Sequence, residues 1–334
     1  MPGTILTRSD TNRMNIDAQN LPAPTWPSLL SFSPNGVSVL VVIAGIGAVL
    51  YLLGVIRLRR AGRRWPIGRS IAFLLGCALL AATGCLGVHA YAEVLISALL
   101  FQQITLMTIV APLLVLGTPG RLLLRATPHR RIGRTALRLA LGGLRSPVSR
   151  VLVRPGIAIL IAILLYPGLY LTDLVSLLVR VPVGHEVLLL AIFALGVVAA
   201  VPLWSSDPVP RPTSFAGRLV EVVVEIQVHA VLGLVMLLSA APLFSAYDVT
   251  RDGWAIDPMR DQIVAGTMMW TYAELPLLIV LIVTLSRWSK RDAKLASRRQ
   301  TQDEIDLEAY NEYLASLEGG NTKDARRDSG RTDT

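Results

Sequence analysis

Long apolar runs constrain the fold of this chain more than any other feature. Several stretches exceed the ~18 residues that a helix needs to cross the hydrocarbon core of a bilayer. Only 16% of the 334 residues are charged and 53% are hydrophobic, whereas about a quarter of the residues of a soluble domain are charged. Because a lipid-facing backbone must satisfy its own hydrogen bonds, the sequence predicts an all-α, polytopic membrane helix bundle.

Charged and turn residues bound seven of these runs, and each is predicted to be a transmembrane helix. The runs cover about 37–56, 70–91, 94–117, 155–174, 184–204, 219–243 and 262–286. Three parts of the chain follow from this prediction. Residues 1–36 form a flexible extracytoplasmic segment that lacks the basic-then-apolar order of a cleavable leader. Residues 37–286 form the membrane domain, and 287–334 form a cytoplasmic tail with a short helix followed by disorder.

The distribution of arginine predicts the orientation. Residues 57–69 contain six arginines and no acidic residue, and residues 121–154 contain nine arginines and no acidic residue. Excess Lys and Arg marks cytoplasmic loops, so the N-terminus is expected outside and the C-terminus inside. Segment 118–154 combines Arg and Leu at helical spacing and is expected to lie on anionic lipid at the cytoplasmic face. A docking surface for a partner protein is the alternative.

Motifs of soluble enzymes are absent from the sequence. We find no phosphate loop, dinucleotide fingerprint, H-E-x-x-H or nucleophile elbow. The sequence therefore argues against an enzyme of the soluble type. The net charge of +9 is explained by the arginine-rich loops, so no nucleic-acid partner is expected.

Polar side chains inside the apolar runs are the main candidates for function, because an ionisable group in a membrane span is costly and usually faces the bundle interior. Glu221, Glu225 and His229 recur every four residues and share one helix face. They fit a proton path or cation-binding face, or a hydrogen-bond network between helices. We expect Glu225 to contact His229 and Glu221 to reach interfacial water. Further intramembrane polar candidates are Gln102, Gln103 and Glu274.

Several side chains could form a metal site. Cys85 and His89 are four residues apart on one helix face, and thiolate and imidazole suit copper or zinc. His185 is predicted at the same membrane depth. Small packing residues, an interfacial histidine and gap-filling methionines are the alternative interpretation. The complete set of candidate metal ligands is Cys85, His89, His185, Met268 and Met269, with the Gln103 amide at the same depth.

Several motifs together resemble one family. The stretch "YAEVLISALLFQQITLM" followed by "APLLVLGTPGRLLLR" resembles the third span of the multi-span CtaG family of cytochrome c oxidase assembly factors. "PLWSSDPVP", "HAVLGLVML", "DQIVAGTMMW" and "YNEYLASL" resemble later motifs of that family in the same order. The residues that match the family motifs are Pro112, Gly117, His229, Asp261, Gln262, Gly266, Met269 and Trp270.

The resemblance implies a multi-pass bacterial plasma-membrane protein that assembles a haem–copper cytochrome c oxidase and takes part in copper delivery. Oxidase subunits or other assembly factors are the implied partners, and the resemblance implies that the chain is not an enzyme and has no catalytic residues. The family's third span typically reads S-A-H-M-x-x-H, but Leu99 and Gln103 replace its two histidines here. Copper is therefore a possible cofactor rather than a certain one. Two alternatives are a transporter or ion-binding protein that uses the Glu221, Glu225 and His229 face, and a structural subunit of a respiratory complex.

Overall fold

The computed structural model describes residues 21–32, 38–127, 154–181, 183–204, 215–250 and 253–329, with a few isolated residues between 128 and 153. Within these ranges the chain is helical, and its only β-type contact is a bridge between Phe32 and Leu86. The helices are α1 (Trp26–Leu30), α2 (Val39–Arg60), α3 (Ile67–Cys85), α4 (Gly87–Tyr91), α5 (Ile96–Ile104), α6 (Ala111–Leu116), α7 (Pro119–Ala126), α8 (Pro155–Tyr170), α9 (Leu174–Val179), α10 (Gly184–Trp204), α11 (Phe215–Leu238), α12 (Pro258–Thr271) and α13 (Glu274–Ser329). A π-helical segment, Thr105–Val110, joins α5 to α6.

Six described helical stretches are long and apolar enough to cross a membrane. They are Val39–Arg60, Ile67–Cys85, Ile96–Ala126, Gly184–Trp204, Ala216–Leu238 and Pro258–Glu312. The predicted fourth span corresponds to α8, which has 16 residues and is followed by a break before α9. Sixteen helical residues extend about 24 Å, less than the ~30 Å of hydrocarbon. The structure thus confirms a helical protein with six candidate spans, while seven spans and their orientation stay a prediction.

The third candidate span lies at the centre of the bundle. In its most apolar window 72% of the residues are buried, compared with 22–39% in the other five spans. Helix α12 packs against α5, while α3 and α10 pack along the π-helical segment and α6. This central position explains why polar side chains such as Gln102 can be tolerated in a long apolar run, because they face protein rather than lipid.

The π-helical segment precedes Pro112, one of the residues that match the family motifs. Proline has no backbone N–H for the carbonyl four residues earlier, and its ring clashes with that carbonyl. Thr108 donates its hydroxyl to the Ile104 carbonyl at 2.8 Å, and Thr105 donates to the Phe101 carbonyl at 2.6 Å. The wider π turn and these hydroxyls accommodate the irregular backbone within the bundle.

Gly117 ends α6 and lies against two aromatic rings. Its backbone carbonyl accepts a 2.9 Å hydrogen bond from the Tyr51 hydroxyl, which itself accepts from the Trp65 indole at 3.1 Å. The Phe73 ring stacks on Tyr51 with 4.1 Å between centroids. A Cβ at position 117 would lie 2.6 Å from the Phe73 Cβ, so only glycine fits here without displacing the ring.

The two ends of the chain differ from the bundle. Within predicted segment 1–36, residues 21–32 are described and lie beside α4, where the Gly87 N–H donates to the Ser31 carbonyl at 2.7 Å. Residues 1–20 and 33–36 lie outside the described ranges, so their predicted flexibility stays a prediction. The chain divides into two compact units, Met1–Leu281 and Ile282–Thr334.

The second unit contains the predicted tail 287–334. The sequence predicts a short helix followed by disorder in this tail. In the structure the tail is helical through Ser329, as part of α13. Residues 330–334 lie outside the described ranges. Most of segment 118–154 beyond Thr127 also lies outside them, and its predicted interfacial position stays a prediction.

Candidate functional site

Two histidines from different helices stack on each other beside one buried amide. His89 in α4 and His185 at the start of α10 have ring centroids 4.9 Å apart. The Gln102 Nε2 donates to the Thr83 carbonyl at 2.6 Å, which fixes the direction of the amide. The same Nε2 then donates to His89 Nδ1 at 3.3 Å, and Gln102 Oε1 accepts from His185 Nε2 at 3.2 Å. Both imidazoles consequently carry hydrogen on Nε2.

A carboxylate completes the network on the other side of His89. The His89 Nε2–H donates to Glu186 Oε1 at 3.1 Å, and the Ser38 hydroxyl donates to Glu186 Oε2 at 2.9 Å. The contacts link the start of α2 with α4, α5 and α10. We call this set the histidine cluster: Ser38, His89, Gln102, His185 and Glu186. Its hydrogen bonds hold four helices in one register.

One ring nitrogen of the histidine cluster makes no hydrogen bond to a described residue. His185 Nδ1 is buried and has no hydrogen-bond partner in the described part of the chain. The Glu93 Oε1 lies 3.9 Å from it, too far for a hydrogen bond. The Glu93 side chain is 38% exposed, so its carboxyl is desolvated only in part. This partial burial raises the pKa of Glu93, with His89 opposing the rise and Glu186 adding to it.

The predicted metal ligands are only partly brought together. His89 and His185 meet, as their predicted common depth suggested, but the amide between them belongs to Gln102 and not to Gln103. Within the described ranges no three His, Cys, Asp or Glu residues form a group that could hold a metal ion. Cys85 is a partly buried free thiol. Met269 is fully buried in the hydrophobic core, and Met268 packs against that core.

Sequence reasoning overlooked Glu93 and Glu186. Both were visible as acidic residues at the ends of apolar runs, each within four residues of a candidate histidine. An imidazole usually donates its second N–H to a carboxylate or carbonyl, so these neighbours could have been included. The bridging role of Gln102 required the structure, because the sequence pattern placed Gln103, and not Gln102, with the candidate metal ligands.

The acidic stripe of α11 faces the bundle, as predicted. Glu221 is 0% exposed, Glu225 6% and His229 2%. Two details differ from the prediction. Glu221 does not reach water, and both of its carboxylate oxygens lack hydrogen-bond partners among the described residues. The Glu225 carboxylate makes no hydrogen bond to the His229 ring; the ring lies against the backbone of Glu225 instead, and the two side chains border one cavity.

Glu225 and His229 border a small cavity between helices. Its other walls include Met107, Pro112 and Pro276, from the third span and from α13. The cavity measures about 30 Å³, which is room for about one water molecule. The Tyr166 ring meets His229 edge-on at 4.7 Å and donates its hydroxyl to the Met107 sulfur at 2.9 Å.

Asp261 and Gln262, from the "DQIVAGTMMW" motif, tie helices together. Asp261 accepts hydrogen bonds from the backbone N–H of Ile96 at 2.7 Å and of Ser97 at 3.3 Å, and also from the Ser97 hydroxyl. Gln262 accepts from the Leu243 N–H at 2.7 Å and donates to the Met236 carbonyl at 3.1 Å. The first residue caps the N-terminus of α5, and the second fixes the chain that leaves α11.

Gly266 of the same motif permits close packing of α12 on α11. A Cβ added there would lie 2.9 Å from the Gly233 carbonyl oxygen, and the reciprocal contact at Gly233 is also 2.9 Å. Small residues let membrane helices approach closely. The motif's Trp270 is 45% exposed, and Glu274 is partly buried in the first turn of α13. This motif therefore serves chiefly to hold α12 against α5 and α11.

The family described as "Cytochrome c oxidase caa3 assembly factor (Caa3_CtaG)" matches residues 49–291. The chain belongs to this family. The match includes α12 with Asp261 and Gln262, four of the five members of the histidine cluster (all but Ser38), and the whole acidic stripe. It confirms the resemblance drawn from the sequence motifs, and the family description concerns cytochrome c oxidase assembly.

Curated relatives come from mycobacteria. Uncharacterized proteins of Mycobacterium bovis and Mycobacterium tuberculosis are each 32% identical over 287 residues, and one of Mycobacterium leprae is 30% identical over 294 residues. Each alignment covers 83% of this chain and 43% of the relative. This CtaG-family chain thus spans less than half the length of the curated relatives that it matches. No solved structure matches it.

Proposed function

We propose that this chain is a non-catalytic, multi-pass assembly factor for a haem–copper cytochrome c oxidase in the bacterial plasma membrane. The family match over residues 49–291 carries the proposal. The six apolar helices support a membrane location, and the mycobacterial relatives support a bacterial one. Oxidase subunits or other assembly factors are the proposed partners.

The proposed topology has seven spans, with the N-terminus outside and the C-terminus inside. Helix α8 with the following residues to Thr172 and Asp173 would supply the fourth span. The arginine-rich loops at 57–69 and 121–154 support this orientation, because excess Arg marks cytoplasmic loops. The histidine cluster then lies at the extracytoplasmic ends of its helices.

The proposed role is that of a scaffold. Asp261 and Gln262 are engaged in bonds between helices, as are Gln102 and His89. Groups used in this way stabilise one arrangement of the bundle, and a fixed arrangement presents a constant surface to a partner subunit. This use of the polar groups supports a scaffold without requiring any chemical step.

Copper as a cargo is the second candidate. The stacked His89 and His185 support it, since imidazole is a copper ligand. Three of their four ring nitrogens are already engaged, and only His185 Nδ1 is left. The described cysteine and methionine candidates do not join them in a metal-binding group. These residues do not fit a preformed copper site, so copper transfer would need ligands from a partner.

A transporter that uses Glu221, Glu225 and His229 is the third candidate. Burial of all three favours an interior role. The adjacent cavity has room for about one water, which supports a local hydration site more than a transport path.

The deciding experiment compares a deletion strain carrying the tagged wild-type gene with one carrying the His89→Ala, His185→Ala double variant. We expect oxidase subunits to co-purify with the wild type and oxidase activity to be lost on deletion. If the double variant restores the activity fully and binds as much copper as the wild type, the cluster does not handle copper, and the scaffold role then rests on the other bonds between helices, such as those of Asp261 and Gln262. Unchanged oxidase activity after deletion, with no oxidase subunit in the purified sample, would show that the proposal is wrong.

A further inference from the structure

A large groove opens between α2 and α7, well apart from the histidine cluster and the acidic stripe in sequence. It measures about 920 Å³, within the size range of sites that hold small organic ligands. Tyr51 and Phe73 are among its lining residues, and these are the two rings that pack beside Gly117. Since these rings are locked in place, the groove is a fixed feature of the bundle.

The walls of the groove are almost entirely apolar. Leu50 and Leu53 on α2 are 64% and 57% exposed, and Leu122 and Leu123 on α7 face the same groove. Gly47 contributes no side chain to this lining. Because α2 is one of the candidate membrane spans, this apolar wall lies where hydrocarbon chains are available.

Two arginines line one end of the groove. Arg57 and Arg60 are one helical turn apart at the C-terminus of α2. Both side chains are exposed, and neither forms a salt bridge with a described residue. No acidic residue of the described ranges lines the groove. Guanidinium groups bind phosphate through paired hydrogen bonds, so this end is complementary to an anionic phosphate.

We propose that this groove binds one anionic phospholipid. The acyl chain lies along the α2 wall between Gly47 and Ile56, and the phosphate lies between Arg57 and Arg60. An apolar trough ending in arginines that form no salt bridge with a described residue matches a molecule with an apolar chain and an anionic head, and it lies within a candidate span. A soluble anion would gain nothing from the apolar wall, and a zwitterionic lipid would bring its own cationic group close to the two arginines.

The test uses purified, delipidated full-length protein in detergent. Thermal unfolding and native mass spectrometry are followed while phosphatidylglycerol or phosphatidylcholine with identical acyl chains is added. Phosphatidylglycerol should raise Tm and remain bound in the mass spectrometer. Its affinity should be at least about 10-fold higher than that of phosphatidylcholine, a difference of about 1.4 kcal/mol in binding free energy. Equal effects of the two lipids in the wild type overturn the proposal.

Matched variants locate the site. Arg57→Gln with Arg60→Gln should remove the preference for phosphatidylglycerol. Arg59→Gln with Arg63→Gln removes equal charge from exposed positions that do not line the groove, and it should leave the preference intact. A comparable loss in both double variants would mean that the effect comes from net charge alone.

Two further experiments distinguish binding of a lipid from binding of a free anion. Leu53→Trp should fill the apolar wall and weaken binding of the lipid while circular dichroism and gel filtration remain as in the wild type. Inorganic phosphate at the same concentration should leave Tm unchanged. A phosphate effect as large as that of phosphatidylglycerol, or unaltered lipid binding in a folded Leu53→Trp variant, overturns the proposal.

Discussion

The Asp261 carboxylate caps a helix that begins 165 positions earlier in the chain, at Ile96. Its Oδ2 accepts a 2.7 Å hydrogen bond from the Ile96 backbone N–H. Asp261 is 3% exposed, so bulk water does not replace this bond when it is lost. The contact fixes α12 to the first turn of the central span.

Replacement of Asp261 by Ala should destabilise the protein strongly. A helix cap contributes about 1 kcal/mol, and leaving buried N–H groups of α5 unpaired adds ~1–3 kcal/mol. Asp257→Ala is the matched control, because Asp257 caps α12 through the Arg260 N–H at 2.7 Å but is exposed. Thermal unfolding in detergent should show the larger fall in Tm for Asp261→Ala, and equal falls would contradict the buried cap.

Gln102 and Gln103 should behave differently when each is replaced by Leu. Gln102→Leu removes the bonds to His89, His185 and Thr83 and should cost about 1–2 kcal/mol, the scale of hydrogen bonds between membrane helices. The Gln103 amide is buried without partners among the described residues, so Gln103→Leu should be neutral or stabilising. Chemical or thermal denaturation of both variants decides the point, and the reverse order would refute it.

Gly266→Ala should disturb the contact between α11 and α12. The added Cβ would lie 2.9 Å from the Gly233 carbonyl, and overpacking of this kind costs about 1–3 kcal/mol. Gly45→Ala is the control, since nothing lies within 4 Å of a Cβ at that position. At position 45 the higher helix propensity of Ala should raise the free energy of unfolding by ~0.5–1 kcal/mol. Similar Tm changes in the two variants would argue against close helix contact at Gly266.

Glu225→Ala should reduce oxidase maturation more than Glu221→Ala. Glu225 borders the cavity that it shares with His229, whereas both Glu221 oxygens lack partners among the described residues and their loss removes an uncompensated polar group. Membrane levels of each variant and oxidase activity are measured in the same cells. Wild-type behaviour of Glu225→Ala in both assays would remove the proposed importance of this cavity.

The Glu93 carboxyl gives a pH dependence with a defined sign. Its pKa is raised from 4.5 in the folded protein by burial, so the protonated form is favoured by folding. This contribution to stability is full below pH ~4.5 and is lost as the pH rises through the folded-state pKa. Glu93→Gln keeps a neutral side chain at all pH values. The Tm of Glu93→Gln should therefore exceed that of the wild type increasingly above pH ~4.5, and a constant difference across pH would contradict the prediction.

Periodicity determined which polar groups face inward on α11, but it did not determine their partners. Glu221, Glu225 and His229 share one face because four residues make nearly one helical turn, and their burial follows from the cost of charge in lipid. The Glu225 carboxylate and the His229 ring border one cavity without a hydrogen bond between them, since the direction of each side chain depends on neighbours such as Tyr166, which belong to another helix.

The sequence by itself determined the all-helical membrane class, the family and the positions of most candidate spans, because hydrophobic run length and motif order are local properties of the chain. Only the tertiary structure decided that Gln102 joins His89 to His185 while Gln103 does not, and that Asp261 caps α5. These contacts depend on how helices distant in sequence rotate against one another. One residue of helix rotation is about 100°, so adjacent glutamines can face different neighbours.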